Sequence, residues 1–333
     1  MTKVLTRGIL IVLGVAIIAC ALGAAWLVRT VYGDRSFPQR ETTVIVPPGS
    51  SARETAQLLQ REGIIRSALA FDVVARLRRQ QGFVRAGQFR FPPHRTLDQV
   101  LREMVTGGAQ VAVWVTFPEG FTAREIAATL AQHNLGDEQT LAQTFLSSRI
   151  RVDGAWTRSL EGFLFPSTYL ISVDATPPAI ARQMTHTFLQ QLPPDANERA
   201  RRLGQRVIDV VTVASLIERE AKADDERPLM AGVYYNRLRR NMPLEVDATI
   251  EYIFPSHKTE ITRADLASDS PYNTYRHLGL PPTPIANPGR ASLLAAFHPQ
   301  PSPFLYYVYR GNGHHAFART LSEHNANVAR YLH

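Results

Sequence analysis

Residues 8–28, GILIVLGVAIIACALGAAWLV, carry no charge. A run of about 20 apolar residues, rising about 1.5 Å each as a helix, crosses a hydrocarbon core of about 30 Å. A cleaved signal peptide has a shorter apolar core and small residues before its cleavage site. Here Trp26, Leu27 and Val28 fill that place. The run therefore predicts one uncleaved membrane-spanning helix, with residues 1–7 as a tail before it and 29–41 as a polar linker after it. Cys20, inside the run, is the single cysteine, so the rest of the chain forms no disulfide and no thiolate metal site. Lys3 and Arg7 stand on one side of the run and Arg29, Arg35 and Arg40 on the other, so charge alone leaves the orientation open.

The remaining residues are enough for two domains, and their hydropathy alternates between strand-like and helix-like periods. Residues 42–46 are β-branched and alternate, as a strand does, and Ser51 with Glu54 has capping-box spacing for a helix over 52–62. Gly49-x-Ser51-Ala52-Arg53-Glu54-x-Ala56-x-x-Leu59 is echoed by Gly120-x-Thr122-Ala123-Arg124-Glu125-x-Ala127-x-x-Leu130, each after a β-like run. A strand, a glycine turn and a capped helix thus occur twice. Helices are expected over 140–153, 176–192 and 198–222, a long ordered loop over 270–289, and a hairpin from 304–309 to 315–318. The expected class is α+β. The net charge of +8 suits nucleic acid, anionic lipid or an anionic polymer. No zinc finger, recognition helix or aromatic RNA-binding pattern is present, which argues against nucleic acid. Neither His-Glu-x-x-His nor Ser-x-x-Lys occurs, so no metal, no cofactor and no transpeptidase serine is expected.

Chemistry-bearing residues crowd into 210–249, VVTVASLIEREAKADDERPLMAGVYYNRLRRNMPLEVDAT. An apolar run over 210–217 ends in Glu218-Arg219-Glu220. A carboxyl at the end of such a run can lose hydration, which raises its pKa toward that of a general acid. A surface helix with solvated acids accounts for the same spacing. Asn236-Arg237-Leu238 and Met242-Pro243-Leu244-Glu245-Val246-Asp247-Ala248-Thr249 follow. Upstream stand Glu161-Gly162-Phe163-Leu164-Phe165-Pro166 and Thr168-Tyr169. Downstream stand Tyr272-Asn273-Thr274-Tyr275, Gly279-Leu280-Pro281-Pro282 and His324-Asn325.

In this order the motifs resemble the YceG-like (MltG) family of endolytic murein transglycosylases over nearly the whole chain. Ala221, Ser167 and Ala248 depart from residues common in that family without removing a carboxylate. The resemblance implies a membrane-anchored lytic transglycosylase with a LysM-like α+β subdomain over 42–108 and an α+β catalytic domain over 109–333. It implies a single pass through the cell inner membrane, a cytoplasmic tail and a periplasmic body. Its substrate would be nascent peptidoglycan glycan strands, cut between N-acetylmuramic acid and N-acetylglucosamine to leave 1,6-anhydro ends. Cell-wall synthases, the penicillin-binding proteins, are the implied partners. Such a reaction needs only one decisive carboxyl, because the sugar's own C6 hydroxyl replaces water. Glu218, directly after Ile217, is the expected acid. Glu220, two residues on, points about 200° away on a regular helix. Glu220, Asn236, Arg237, Asp247, Thr249, Tyr272, Asn273 and Tyr275 are the expected supporting or substrate-binding residues. A non-catalytic peptidoglycan-binding scaffold and a muramidase-type hydrolase are the alternatives.

Overall fold

The computed structural model describes residues 2–254 and 261–332, with side chains from residue 11 onward. In chain order the elements are α1 (Thr2–Val28), β1 (Thr42–Val46), α2 (Ala52–Arg61), α3 (Ala68–Leu77), β2 (Gly87–Phe91), α4 (Leu97–Thr106), β3 (Gln110–Thr116), α5 (Ala123–Gln132) and α6 (Glu138–Ser147). There follow β4 (Arg151–Val152), β5 (Ala155–Trp156), β6 (Thr168–Ser172), α7 (Pro177–Gln191), α8 (Ala196–Arg202), α9 (Val207–Glu220), α10 (Arg227–Arg239), α11 (Asp247–Glu251) and α12 (Arg263–Leu266). The chain ends with α13 (Arg290–Phe297), β7 (Tyr306–Tyr309), β8 (His315–Ala318) and α14 (Leu321–Tyr331). The fold is α+β, as its sequence patterning predicts.

α1 is one continuous helix, extended by a π turn over Arg29–Gly33. Ile11–Gly33 is long and apolar enough to cross a membrane, with mean hydropathy 2.6 in its most apolar stretch, and only its end, at Thr30 and Val31, is buried against the first unit. Ile11, Val12 and Leu22 are each about two-thirds exposed. So long an apolar surface without cover requires lipid or another apolar partner. The side chains of Lys3 and Arg7 lie outside the described residues.

Two units build the molecule: Met1–Val115 with Tyr169–Asp174, and Thr116–Thr168 with Ala175–His333. The sequence placed a boundary at residue 108. The observed one lies at 115, because β3 completes the sheet of the first unit and β6 returns to it. That sheet has the order β1-β2-β3-β6. β1 and β2 are antiparallel, with Val44 opposite Phe89 and Val46 opposite Gly87. Val44 and Val46 point inward and Ile45 outward, the period-two pattern read from the sequence. Phe71, Leu59, Phe89, Phe91 and Met104 fill the core beneath the sheet.

The second unit is organised by α9. Val207, Val210, Val211, Val213, Ala214, Leu216 and Ile217 are all buried, so this helix is covered on nearly every side. α10, α13 and α8 pack around it. The single helix expected over 198–222 is two helices, because the chain passes through Gly204 at φ +69° between α8 and α9. That left-handed turn costs glycine little and ends α8. The helix expected over 140–153 stops at Ser147 and gives way to the β4–β5 hairpin.

The sequence echo corresponds to a structural one. Gly49 and Gly120 both adopt positive φ, and Ser51 and Thr122 both form complete capping boxes with the acid three residues on. Ala52, Ala56 and Leu59 are buried in one copy, and Ala123, Ala127 and Leu130 in the other. The same local grammar serves two different cores.

Within the second unit Gly162 lets the Glu161–Pro166 segment pack closely on Pro284 and Val211. Its φ is +88°, and a Cβ there would meet Pro284 at 2.3 Å. Neither the turn nor the proline ring can yield readily. Gly162→Ala is expected to destabilise the fold by about 2–3 kcal/mol. A thermal melt should show a midpoint lower by about 5 °C or more.

Candidate active site

The last turn of α9 carries two carboxylates, and the helix aims them in different directions. Both sit at a helix C-terminus, where the backbone dipole opposes negative charge. Each needs compensation, and only one receives a full measure.

Glu218 is compensated. Its side chain is 6% exposed and lies 3.5 Å from the Arg227 guanidinium. The Gly289 amide donates to its Oε2 at 2.9 Å, at the N-terminus of α13. Arg227 also binds Asp224 and the Ser292 hydroxyl, which holds the cation in place. Glu119 packs on the same glycine, so that a Cβ at Gly289 would overlap it. Burial, then the charge of Glu218, push the Glu119 carboxyl above the usual carboxylate range. This cluster ties α9, α10 and α13 together.

Glu220 faces a groove of about 480 Å³, also lined by Asp247, Tyr275, Tyr307, Arg237 and His324. Its Oε1 accepts a long bond from the Ala248 amide, 3.4 Å, at the start of α11. Its Oε2 accepts from the Tyr307 hydroxyl at 3.3 Å, and that hydroxyl is 2.9 Å from the hydroxyl of Tyr234. No cation pairs with Glu220 among the described residues. Burial and the Asp247 charge push its carboxyl up to about 7, against two weak hydrogen bonds that pull it down. Asp247 itself accepts the Tyr275 hydroxyl. The groove thus holds a carboxyl whose pKa is raised to about 7 beside Asp247 and a tyrosine, at the size of a small-ligand site. Among the described residues no three His, Cys, Asp or Glu side chains converge in a way that could hold a metal ion.

A model of the YceG-like family matches residues 44–330. The chain belongs to the YceG-like family. It is similar to the endolytic murein transglycosylase of Bacillus subtilis, at 32% identity over 86% of this chain and 84% of that protein. It is also similar to the protein of that name from Streptococcus pneumoniae, at 30% identity over 88% of this chain, though it spans only 59% of that longer protein. A crystal structure of a YceG-like protein from Listeria monocytogenes superposes with a TM-score of 0.60 at 28% identity, covering 86% of this chain and 98% of that one.

The YceG-like motif residues divide between the groove and its framework. Glu220, Arg237, Asp247 and Tyr275 meet at the groove. Arg237 is buried and donates to the carbonyls of Leu305, Pro243 and Leu244 and to Glu245, with its guanidinium over the Tyr306 ring. It thereby pins the loop before α11 to the segment entering β7. Asn236 holds that same segment through the carbonyls of Ser302 and Phe304. Thr249 is buried and bonds Val246 and Thr274. Asn273 is buried and closes its own loop by donating to Leu266 and Ser268. These three stand outside the groove and shape it. Tyr272 lies elsewhere, paired with Tyr252 and bonded to Thr283.

Tyr307, Tyr234 and His324 are groove or near-groove residues that the spacing of motifs did not single out as chemical. Tyr307 was legible only as part of a strand. Its partner Glu220 is 87 residues away, and no local pattern connects them. Glu161 was legible only as a motif letter. It is buried, accepts from the Ala123 amide, Asn287 and Tyr252, and burial pushes it up to about 7.

Proposed function

We propose that this YceG-like protein is an endolytic peptidoglycan lytic transglycosylase whose general acid is Glu220. One observation carries the assignment: Glu220 is the carboxyl that opens on the groove without an ion pair among the described residues and is pushed up to about 7. Glu218, the residue favoured by its place after Ile217 and by its match to the first Glu of the family motif, is engaged by Arg227 and Gly289, which suits a structural role.

In this reading the strand lies in the groove with the bond between N-acetylmuramic acid and N-acetylglucosamine over Glu220. The protonated carboxyl gives its proton to the leaving oxygen as the bond to the muramic anomeric carbon breaks. The resulting carboxylate then takes the proton of the C6 hydroxyl, whose oxygen closes on that carbon. The Tyr307 hydroxyl holds the acid in one orientation, and Tyr234 holds Tyr307. Asp247 favours the protonated acid and lends negative charge toward the oxocarbenium-like carbon. Asp247 beside Glu220 is also the two-carboxylate arrangement of a hydrolase, which is the specific support for the muramidase alternative.

α1 serves as a single-pass anchor in the cell inner membrane, with the two units on the periplasmic side where nascent strands are made. The first unit is LysM-like and holds glycan, and cell-wall synthases are the neighbours that supply it.

Product masses test the reaction: transglycosylation conserves the mass of the strand, and hydrolysis adds one water per cut. Anhydro-ended fragments from purified sacculi are the expected result, and reducing ends would replace the proposal with a muramidase. The pH dependence tests the acid. An acid must be protonated to act, so kcat/KM should be high below about 7 and fall as pH rises through the value of Glu220. A profile still rising above pH 8 would remove a carboxylic acid from that role.

A further inference from the structure

The second unit carries another groove, of about 530 Å³, that shares no lining residue with the one at Glu220. Its walls include Arg124, Arg158, Tyr252, Tyr272 and Thr283. A smaller hollow of about 250 Å³ adjoins it through Arg158, Ser159, Pro282 and Thr283, and ends at Trp156. Trp156 is 64% exposed.

The groove has a rigid floor and mobile charge. The Tyr252 and Tyr272 rings lie 4.9 Å apart, tilted by 48°. Each is tethered by its own hydroxyl, Tyr252 to buried Glu161 at 3.1 Å and Tyr272 to Thr283 at 2.8 Å. Their faces are therefore fixed while their polar atoms are already satisfied. Arg124 and Arg158 are exposed, and neither makes an ion pair or hydrogen bond among the described residues. Some arginines of this unit find acids, as Arg206 does with Asp209, Arg219 with Glu251 and Arg199 with Asp195. Among the described residues the two at this groove make no ion pair, and buried Glu161, bonded by Tyr252, feels the Arg124 charge.

We propose that this groove binds the carboxylate-bearing peptide attached to a peptidoglycan strand. The inference rests on the transglycosylase reading for its substrate and extends it to a second site. The sugars of such a strand are uncharged, since the lactyl carboxyl of muramic acid is used up in the amide to the peptide. Free carboxylates reside on the peptide, and guanidinium forks pair with carboxylates in bidentate fashion. The tyrosine faces take the apolar side of the peptide, as aromatic platforms do. Engagement here retains a strand by its stems while the Glu220 groove engages its sugar backbone.

The test is a titration of the full chain in detergent with a soluble stem tripeptide, L-alanyl-γ-D-glutamyl-diaminopimelate, followed by NMR or calorimetry. Saturable binding is expected, weakened about tenfold or more in Arg124→Gln/Arg158→Gln with an unchanged melting temperature. The preference for peptide-bearing over peptide-free strands in kcat/KM should shrink by a similar factor in that variant. Tyr272→Ala should weaken the same titration through the floor instead of the charge. Absence of tripeptide binding, or binding indifferent to both arginines, overturns the proposal. Displacement of the tripeptide by phosphatidylglycerol vesicles, with vesicle binding stronger than peptide binding, would make this a lipid-facing surface and overturn it too. Since the titration requires no bond cleavage, tripeptide binding by a chain that releases no anhydro-product would remove the transglycosylase reading while keeping the site. Anhydro-product without tripeptide binding would do the reverse.

Discussion

Glu220→Gln is expected to reduce anhydro-product release from sacculi by about 10²–10⁴-fold, the usual worth of general acid–base catalysis. The loss should fall at the upper end, because the sugar oxygen would otherwise depart as an unprotonated alkoxide. The amide is nearly isosteric, and Glu220 makes no ion pair among the described residues, so the melting temperature should change little. Glu218→Gln is expected to do the opposite. It removes the charge facing Arg227 and weakens the acceptor for the Gly289 amide. Hydrogen bonds to charged groups contribute about 1.5–3 kcal/mol, so stability should drop while product release stays within about tenfold of wild type. The two variants, assayed together with melts as folding controls, decide between the carboxylates. A folded Glu220→Gln protein releasing product at a near wild-type rate would sink the assignment. An inactive but folded Glu218→Gln beside an active Glu220→Gln would return the acid to position 218.

Arg237→Met should cause the largest loss of stability. The guanidinium is buried, and four acceptors converge on it: three carbonyls and the Glu245 carboxylate. Methionine fills most of the space but leaves those mostly buried carbonyls without their donor. Removing one partner from such a buried charged network costs about 3–5 kcal/mol. Chemical denaturation of the full chain in detergent should show the decrease, with a melting temperature lower by about 6–12 °C. Glu245→Gln, which alters only the exposed end of the network, should cost far less, since its side chain is 44% exposed. Equal losses for the two variants would mean that the ion pair, and not the carbonyl cradle, is what Arg237 contributes. Activity should fall with the fold, because the same cradle joins the loop before α11 to β7, and these bring the Ala248 amide and the Tyr307 hydroxyl to the two oxygens of Glu220.

Much of this molecule is determined locally and is readable along the chain. The apolar run over 8–28 is long and uncharged enough to be read as a spanning helix, and α1 is continuous through it. The alternation over 42–46 yields β1, and the Ser51 and Thr122 boxes yield two helix starts at the residues expected. The motif residues from 218 to 275 were legible as a set, since their types and order resemble those of one family. The helical phase that separates Glu218 from Glu220 by about 200° was legible as well. Which of the two faces the groove was not. That choice depends on Ala248, which approaches from 28 residues away with Asp247 beside it, and on Tyr307, which approaches from 87. It depends equally on Arg227 and Gly289, which come to Glu218 from α10 and from the start of α13. The break at Gly204 and the return of β6 to the first unit's sheet were likewise settled by packing. A carboxyl's acidity is set by the charges, dipoles and solvent within a few ångströms of it. Sequence lists those groups without placing them, so it could name both acids, and only the folded chain could give one a cation and the other a groove.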